Sequence, residues 1–279
     1  MKPWKVRLPL FFLFFSLLSL SSFFNLRLFH SQPATLAPTI TLLPPKSLKA
    51  FSFGFSNLLA DAYFIWTIQA FGIPGKTPAF SDLETVMTVI GELDPSEPGP
   101  FSVGSLIAYY QGGRPDLALK VLEIGMRLQP GEWTLPYEAG HYMRKAKRYS
   151  LASRLFEIAA HKEGAPSFIK RLQVDALKSS GDSRNAFLLW QEILHGATTD
   201  YEREVAGRHL YELKTELDRE ELEPLVEHYR RLFNRLPQSW NDMIAASLLS
   251  SPPLDYDGEP YILTQEGKIQ SRKRFSWKR

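Results

Sequence analysis

The chain has 279 residues, of which 44% are hydrophobic and 23% charged, with a formal net charge of +3. That mixture is globular rather than disordered, and so small a net charge gives no reason to expect a nucleic-acid partner. The absence of cysteine excludes disulfides, thiolate metal sites, a cysteine nucleophile and a lipidated N-terminal cysteine.

Residues 1–29 read as a membrane anchor. Lys2, Lys5 and Arg7 precede residues 8–26, an uncharged stretch dominated by Leu and Phe and closed by Arg27. At helical rise this stretch spans roughly 28 Å, near the thickness of a bilayer's hydrocarbon core. The excess of cations before it predicts a single-pass inner-membrane protein with a cytoplasmic N-terminus and a periplasmic or otherwise extracytoplasmic body. The alternative is a signal peptide whose cleavage releases a soluble exported protein. Ser19-Leu20-Ser21 offers a small-x-small pattern, although the apolar run continues past it through Phe23 and Phe24.

Residues 30–47 carry Pro33, Pro38, Pro44 and Pro45 among Ser, Thr and Ala, which predicts an extended spacer. Residues 48–98 follow as a degenerate helical pair. Phe51, Phe55, Leu58, Leu59, Ala62, Ile65 and Trp66 recur at three- and four-residue steps, predicting one helix over 48–71 that Gly72, Pro74 and Gly75 stop. Asp61, its only acid, reads as a surface or capping carboxylate. A second helix over 80–93 ends at Asp94-Pro95. The pair serves as a cap, because the end unit of a repeat array turns one face to solvent.

Over residues 99–200, Ala118, Ala152 and Ala186 stand 34 residues apart, each followed four positions later by a bulky apolar side chain: Leu122, Phe156 and Trp190. A fixed period of this length predicts stacked helix-turn-helix units, here 99–132, 133–166 and 167–200. The middle unit carries Ala139, Gly140 and Met143 in its first helix, Ala152, Phe156 and Ala159 in its second, and Pro166 at its end. The first supplies Tyr109, Ala118, Leu122, Gly125 and Pro130. The third keeps Leu177, Ala186 and Trp190 but has Lys170, Gln173 and Val174 where the first-helix signature belongs.

This pattern resembles the tetratricopeptide repeat family, in its membrane-anchored bacterial form. The resemblance implies an all-α solenoid of helical hairpins whose first helices line a concave groove. The groove-facing positions would be Val103, Ile107 and Tyr110, then Tyr137, His141 and Arg144, then Arg171, Asp175 and Lys178. Such a groove grades from apolar and aromatic to basic. It suits a protein segment with an apolar anchor and an acidic end.

Residues 201–235 predict capping helices, over 200–217 and 220–234, with Asp218, Glu220, Glu221 and Glu223 at the start of the second, where acids suit the helix dipole. Residues 236–279 predict a short helix, a β-hairpin turning at 264–266, and a basic tail. The run from Pro237-Gln238-Ser239-Trp240 through Asp257, Gly258, Pro260 and Tyr261 to Gly267-Lys268-Ile269 resembles the C-terminal strand segment of type II secretion pseudopilins. The tail, with Arg272, Lys273, Arg274, Lys278 and Arg279 around Phe275 and Trp277, suits an anionic surface.

Nothing in the sequence assembles a reaction centre. The six histidines are scattered, none in an H-E-x-x-H arrangement, and there is no G-x-S-x-G, phosphate-cradling glycine loop or G-x-G-x-x-G. The expectation is a non-enzymatic chain without metal or cofactor. It would be a membrane-anchored scaffold or adaptor for protein–protein interactions in the bacterial cell envelope. The alternative is a structural or assembly subunit of a secretion or pilus-like machine.

Overall fold

The computed structural model describes residues 42–72 and 80–273, together with Ser16 and Ser19. The expected membrane segment and the end of the basic tail therefore lie outside the described residues. Among the described residues no helix is long and apolar enough to cross a membrane. The chain divides after Asp94 into two compact units.

In the first unit, α1 (Pro45–Phe51) starts with a proline in its first turn, where the missing N–H breaks no helical bond. The extended spacer predicted to run through residue 47 therefore gives way to helix at Pro45. Nor does one helix cover 48–71. The chain breaks at Phe53 and Gly54, whose φ angles are 50° and 90°, and resumes as α2 (Ser56–Gly72). Helix α3 (Ser81–Leu93) packs along α2 and buries Leu83, Val86, Met87, Ile90 and Leu93. Phe71 and Phe80 meet with ring centroids 5.6 Å apart.

The second unit is built from helical hairpins in which each helix packs on the next. They are α4 (Gly99–Leu106) with α5 (Pro115–Leu128), α6 (Thr134–Lys145) with α7 (Tyr149–Ala160), and α8 (Phe168–Ser179) with α9 (Ser183–His195). The 34-residue period is a core period. Ala118, Ala152 and Ala186 are wholly buried, as are Leu122 and Phe156, with Trp190 only 2% exposed. Two glycines permit the closest approaches: a Cβ on Gly140 would lie 2.8 Å from the Phe156 ring, and one on Gly125 would lie 2.8 Å from Phe101. The turn inside each hairpin repeats as well. Gly113, Lys147 and Gly181 all adopt positive φ, at 61°, 60° and 85°, and only the middle unit places a side chain there.

Helix α4 runs into a π turn over Ile107–Gln111, with Gly112 N–H donating to the Ile107 carbonyl at 3.1 Å. The third unit, despite its weak first-helix signature, buries Ile169, Gln173, Val174 and Ala176 in α8.

Helix α10 (Asp200–Phe233) is continuous for 34 residues, which corrects the expected break near residue 218. Asp218 and its neighbouring acids therefore lie mid-helix and cap nothing. Lys214 binds Asp218 one turn on, Thr215 donates to the Tyr211 carbonyl, and Arg184 pairs with Glu221 at 3.6 Å. The helix starts with a capping box between Thr199 and Glu202.

Helix α11 (Trp240–Ala245) and the hairpin β1 (Ile262–Leu263) and β2 (Ile269–Gln270) fold back on α10. Trp240, Met243, Tyr261 and Ile269 share one apolar cluster with Leu222, Val226 and Tyr229. Polar clamps frame it. Tyr261 donates to Asp218 at 2.6 Å, Tyr211 to Asp255 at 2.6 Å, Arg219 to the Ile269 carbonyl at 2.9 Å, and Trp240 to the Tyr261 carbonyl at 2.7 Å. The first two cations of the basic tail make surface ion pairs here, Arg272 with Glu259 at 3.7 Å and Lys273 with Asp257.

Two substitutions test the close packing. Gly140→Ala should destabilise the chain by about 1–3 kcal/mol, because the Phe156 ring has nowhere to move. Lys147→Gly should stabilise it by up to about 1 kcal/mol by relieving a left-handed backbone. Chemical denaturation of the two variants beside the parent reads both signs.

Candidate functional site

The face shared by the first helices, α4, α6 and α8, brings together most of the residues expected on it. Tyr137 in α6 is half-buried within an aromatic step, with ring centroids 5.9 Å from Trp133, 6.2 Å from Phe156 and 5.8 Å from Phe168 of α8. His141 lies one helical turn on, 6.4 Å from the Tyr137 ring. Its imidazole is held below its ordinary pKa by burial and then by Arg144 and Lys145, so it is neutral at pH 7.

Asp175 is the centre of the charged part. Its side chain reaches solvent, yet the wall of neighbouring side chains desolvates it and pushes its carboxyl above the usual range, against the pull of Arg144, Lys178 and Arg171. Arg144 comes from α6 and the other three from α8. Lys178 also faces Glu216 of α10 at 3.7 Å, and Ser183 donates to the same carboxylate at 3.0 Å. The charges of three cations thus act on one aspartate, and one of the three, Lys178, also faces a glutamate, leaving positive charge in surplus.

Ile107 does not belong to this face. It is 3% exposed, at the start of the π turn, while Leu106 is 47% exposed. Spacing by 3.6 residues per turn does not carry through a π turn, which holds an extra residue. Tyr110 is exposed as expected, and its hydroxyl accepts from Lys145 at 2.7 Å. Lys145 is thereby raised in pKa.

Several participants were not legible as groove residues. Tyr109 stacks on Tyr142 with centroids 4.6 Å apart, and Tyr110 meets both edge-on. Glu138, between them and Ser102, has a buried carboxylate oxygen without a partner. Burial pushes its carboxyl upward, with a hydrogen bond from Ser102 opposing. The only sequence signal for this cluster is the 33-residue offset between Tyr109 and Tyr142, close to the repeat length. A cleft of about 280 Å³ also opens beside Arg171, between Pro166, Lys170, Trp190, Ile193 and Val205. Trp190 continues it by stacking on His209, with centroids 4.2 Å apart and planes 13° off parallel. Burial and then Lys178 depress the His209 pKa to about 4.

Among the described residues no three His, Asp or Glu side chains converge to hold a metal ion. The arrangement offers aromatic surface, fixed cations and hydrogen-bond donors, which is the chemistry of recognition.

No family model matches the chain, and no curated protein does. Among solved structures the chain is similar to one described as "MamA RS-1 ArsTM double mutant", at 16% identity and a TM-score of 0.39, covering 59% of this chain and 86% of that one. A superposition that loose adds nothing to the fold already described.

Two titrations should be visible in stability. The depressed His209 takes up its proton more readily in the unfolded chain, so folding loses stability as pH falls from 6.5 toward 4. Thermal melts across that window should decline less steeply for His209→Gln. Glu138 has the opposite sign, since its raised pKa favours the protonated, folded form and its contribution is lost as pH rises above about 4.5. Glu138→Gln should therefore melt higher than the parent at pH 7, and an unchanged or lower melting temperature would contradict the assignment.

Proposed function

We propose that this chain is a membrane-anchored scaffold that acts by binding, not catalysis. It recruits an acidic segment of a protein partner to the face shared by α4, α6 and α8. The observation that carries the reading is the Tyr137–Phe168 aromatic step that joins α6 to α8, with Arg144, Arg171 and Lys178 all acting electrostatically on Asp175 of the same face. An acidic partner group would replace solvent around cations already desolvated on one side, forming charge-assisted hydrogen bonds. An apolar anchor in the same partner would rest against Tyr137. The half-exposed cluster of Tyr110 and Lys145 extends the surface toward α4. The anchor is residues 8–26, on the cation bias around them, with the body on the extracytoplasmic side of the inner membrane of a bacterial envelope.

The test is affinity purification from cross-linked native membranes, comparing the intact chain with a Tyr137→Ala, Arg144→Glu, Arg171→Glu variant. These side chains are all partly solvent-facing, so the variant should fold. Proteins with acidic segments should be recovered with the intact chain and lost, by tenfold or more in order of magnitude, with the variant. An unchanged set of partners would refute recognition through this face.

A further inference from the structure

The break between α1 and α2 carries an apolar tip that the recognition face does not explain. Phe51, Phe53 and Phe55 are 68%, 86% and 68% exposed, and Leu58, on the first turn of α2, is 65% exposed. Leu43, just before α1, is 52% exposed. Five large apolar side chains thus crowd a stretch of 16 residues at one corner of the first unit. Phe53 holds this position in a left-handed conformation, with φ at 50°, which costs a bulky residue about 1 kcal/mol or more. Neither burial nor a hydrogen bond offsets that strain within the folded unit. A strained backbone that presents an aromatic ring to solvent points to something beyond the chain that receives it.

Charge says what receives it. No Asp or Glu precedes Asp61 in the sequence, whereas Lys2, Lys5, Arg7, Arg27, Lys46 and Lys49 all do. Lys46 and Lys49 flank the tip from α1, and both are exposed; Lys49 donates to the carbonyl of Glu92, at the end of α3, at 3.2 Å. Exposed apolar rings flanked in the chain by Lys46 and Lys49, with no acid in residues 1–60, are complementary to an anionic phospholipid surface, where rings enter the acyl boundary and ammonium groups meet phosphates. Asp61 is exposed on α2 one turn beyond Leu58. It limits immersion to the tip and keeps the rest of α2 at or above the headgroups.

Chain length permits the contact. Residues 8–26 end 17 residues before Leu43, a reach of at most about 60 Å, so an anchored chain keeps the tip near its own bilayer at high effective concentration. We infer that the tip formed by Phe51, Phe53, Phe55 and Leu58 docks on the anionic phospholipid surface, giving the first unit a second membrane contact. The inference rests on the anchored reading above only for this proximity.

The cysteine-free chain allows a direct test. Full-length protein with a single Phe53→Cys, Leu58→Cys or, as an exposed control in the second unit, Ser150→Cys change is labelled with an environment-sensitive fluorophore. It is then reconstituted into vesicles of phosphatidylethanolamine and phosphatidylglycerol, and flotation reports membrane association. Lipids bearing nitroxides on their acyl chains should quench the labels at 53 and 58 by roughly twofold or more over the label at 150. Vesicle-bound protein whose labels at 53 and 58 are quenched no more than that at 150 would overturn the tip while leaving the anchor standing. Protein that does not float overturns the anchor and the tip together. Labels that shift to the blue with rising protein concentration, without nitroxide quenching, would assign the tip to a second copy of the chain and overturn the lipid assignment.

Discussion

The second unit depends on how closely its helices approach one another, and that distance is set by the side chains that are missing. Ala118, Ala152 and Ala186 present a methyl group and are wholly buried; Gly125 and Gly140 present nothing, and the rings of Phe101 and Phe156 occupy the space. Because interiors are close-packed, these contacts fix the approach of the two helices of a hairpin, and Leu135 of the next hairpin packs against Gly125 as well, so the offset between hairpins follows. Repetition of the same contact then repeats the offset. The aromatic step from Tyr137 to Phe168 bridges α6 and α8, and the charge of Arg144 acts on Asp175 across the same two helices, so both inherit their geometry from it.

Polar contacts at the same interval follow from that stacking and do not cause it. Arg148 pairs with Asp116, Lys162 reaches the Pro130 carbonyl, and Ser183 binds Glu216. Each joins residues roughly one repeat apart, as stacked units of nearly constant length require. The first two lie on exposed surface, where ion pairs and hydrogen bonds contribute little. The C-terminal side differs. There Asp255 is buried, which pushes its carboxyl up, but hydrogen bonds from Tyr211 and the Glu259 and Asp257 amides, with Lys273 nearby, bring it below the ordinary range. A buried carboxylate so fully satisfied locks the tail onto α10 far more firmly than strands of two residues could alone.

The electrostatics of the recognition face come from burial acting unevenly on neighbours. His141 and His209 are both depressed, Asp175 and Glu138 both raised. Desolvation disfavours the charged form of each, whatever its sign. In the first unit the asymmetry is of another kind. Helix α2 spreads its apolar residues around its circumference, leaving Leu58, Ile65 and Ile68 exposed, and α3 covers only part of it.

Much of this was legible in the sequence. The 34-residue recurrence of a small residue and a bulky one identified the helical hairpins, because a core contact that repeats must recur at the repeat length. The C-terminal hairpin was expected too, although its strands are short and its turn extends past 266 to Gly267, at positive φ. Six of the nine expected groove residues, from Tyr137 to Lys178, share one face, and Tyr110 sits beside it. What the sequence did not disclose depends on contacts between distant segments. The continuity of α10 across Asp218 is decided by Tyr261, 43 residues away, which engages the carboxylate that otherwise looks like a cap. The inward turn of Ile107 accompanies a π turn that no local spacing announces. The break at Phe53 interrupts a pattern that is helical by every local measure. Periodicity records which side chains a regular helix would bury; which helices stay regular, and which polar groups find partners, is settled only when the elements pack.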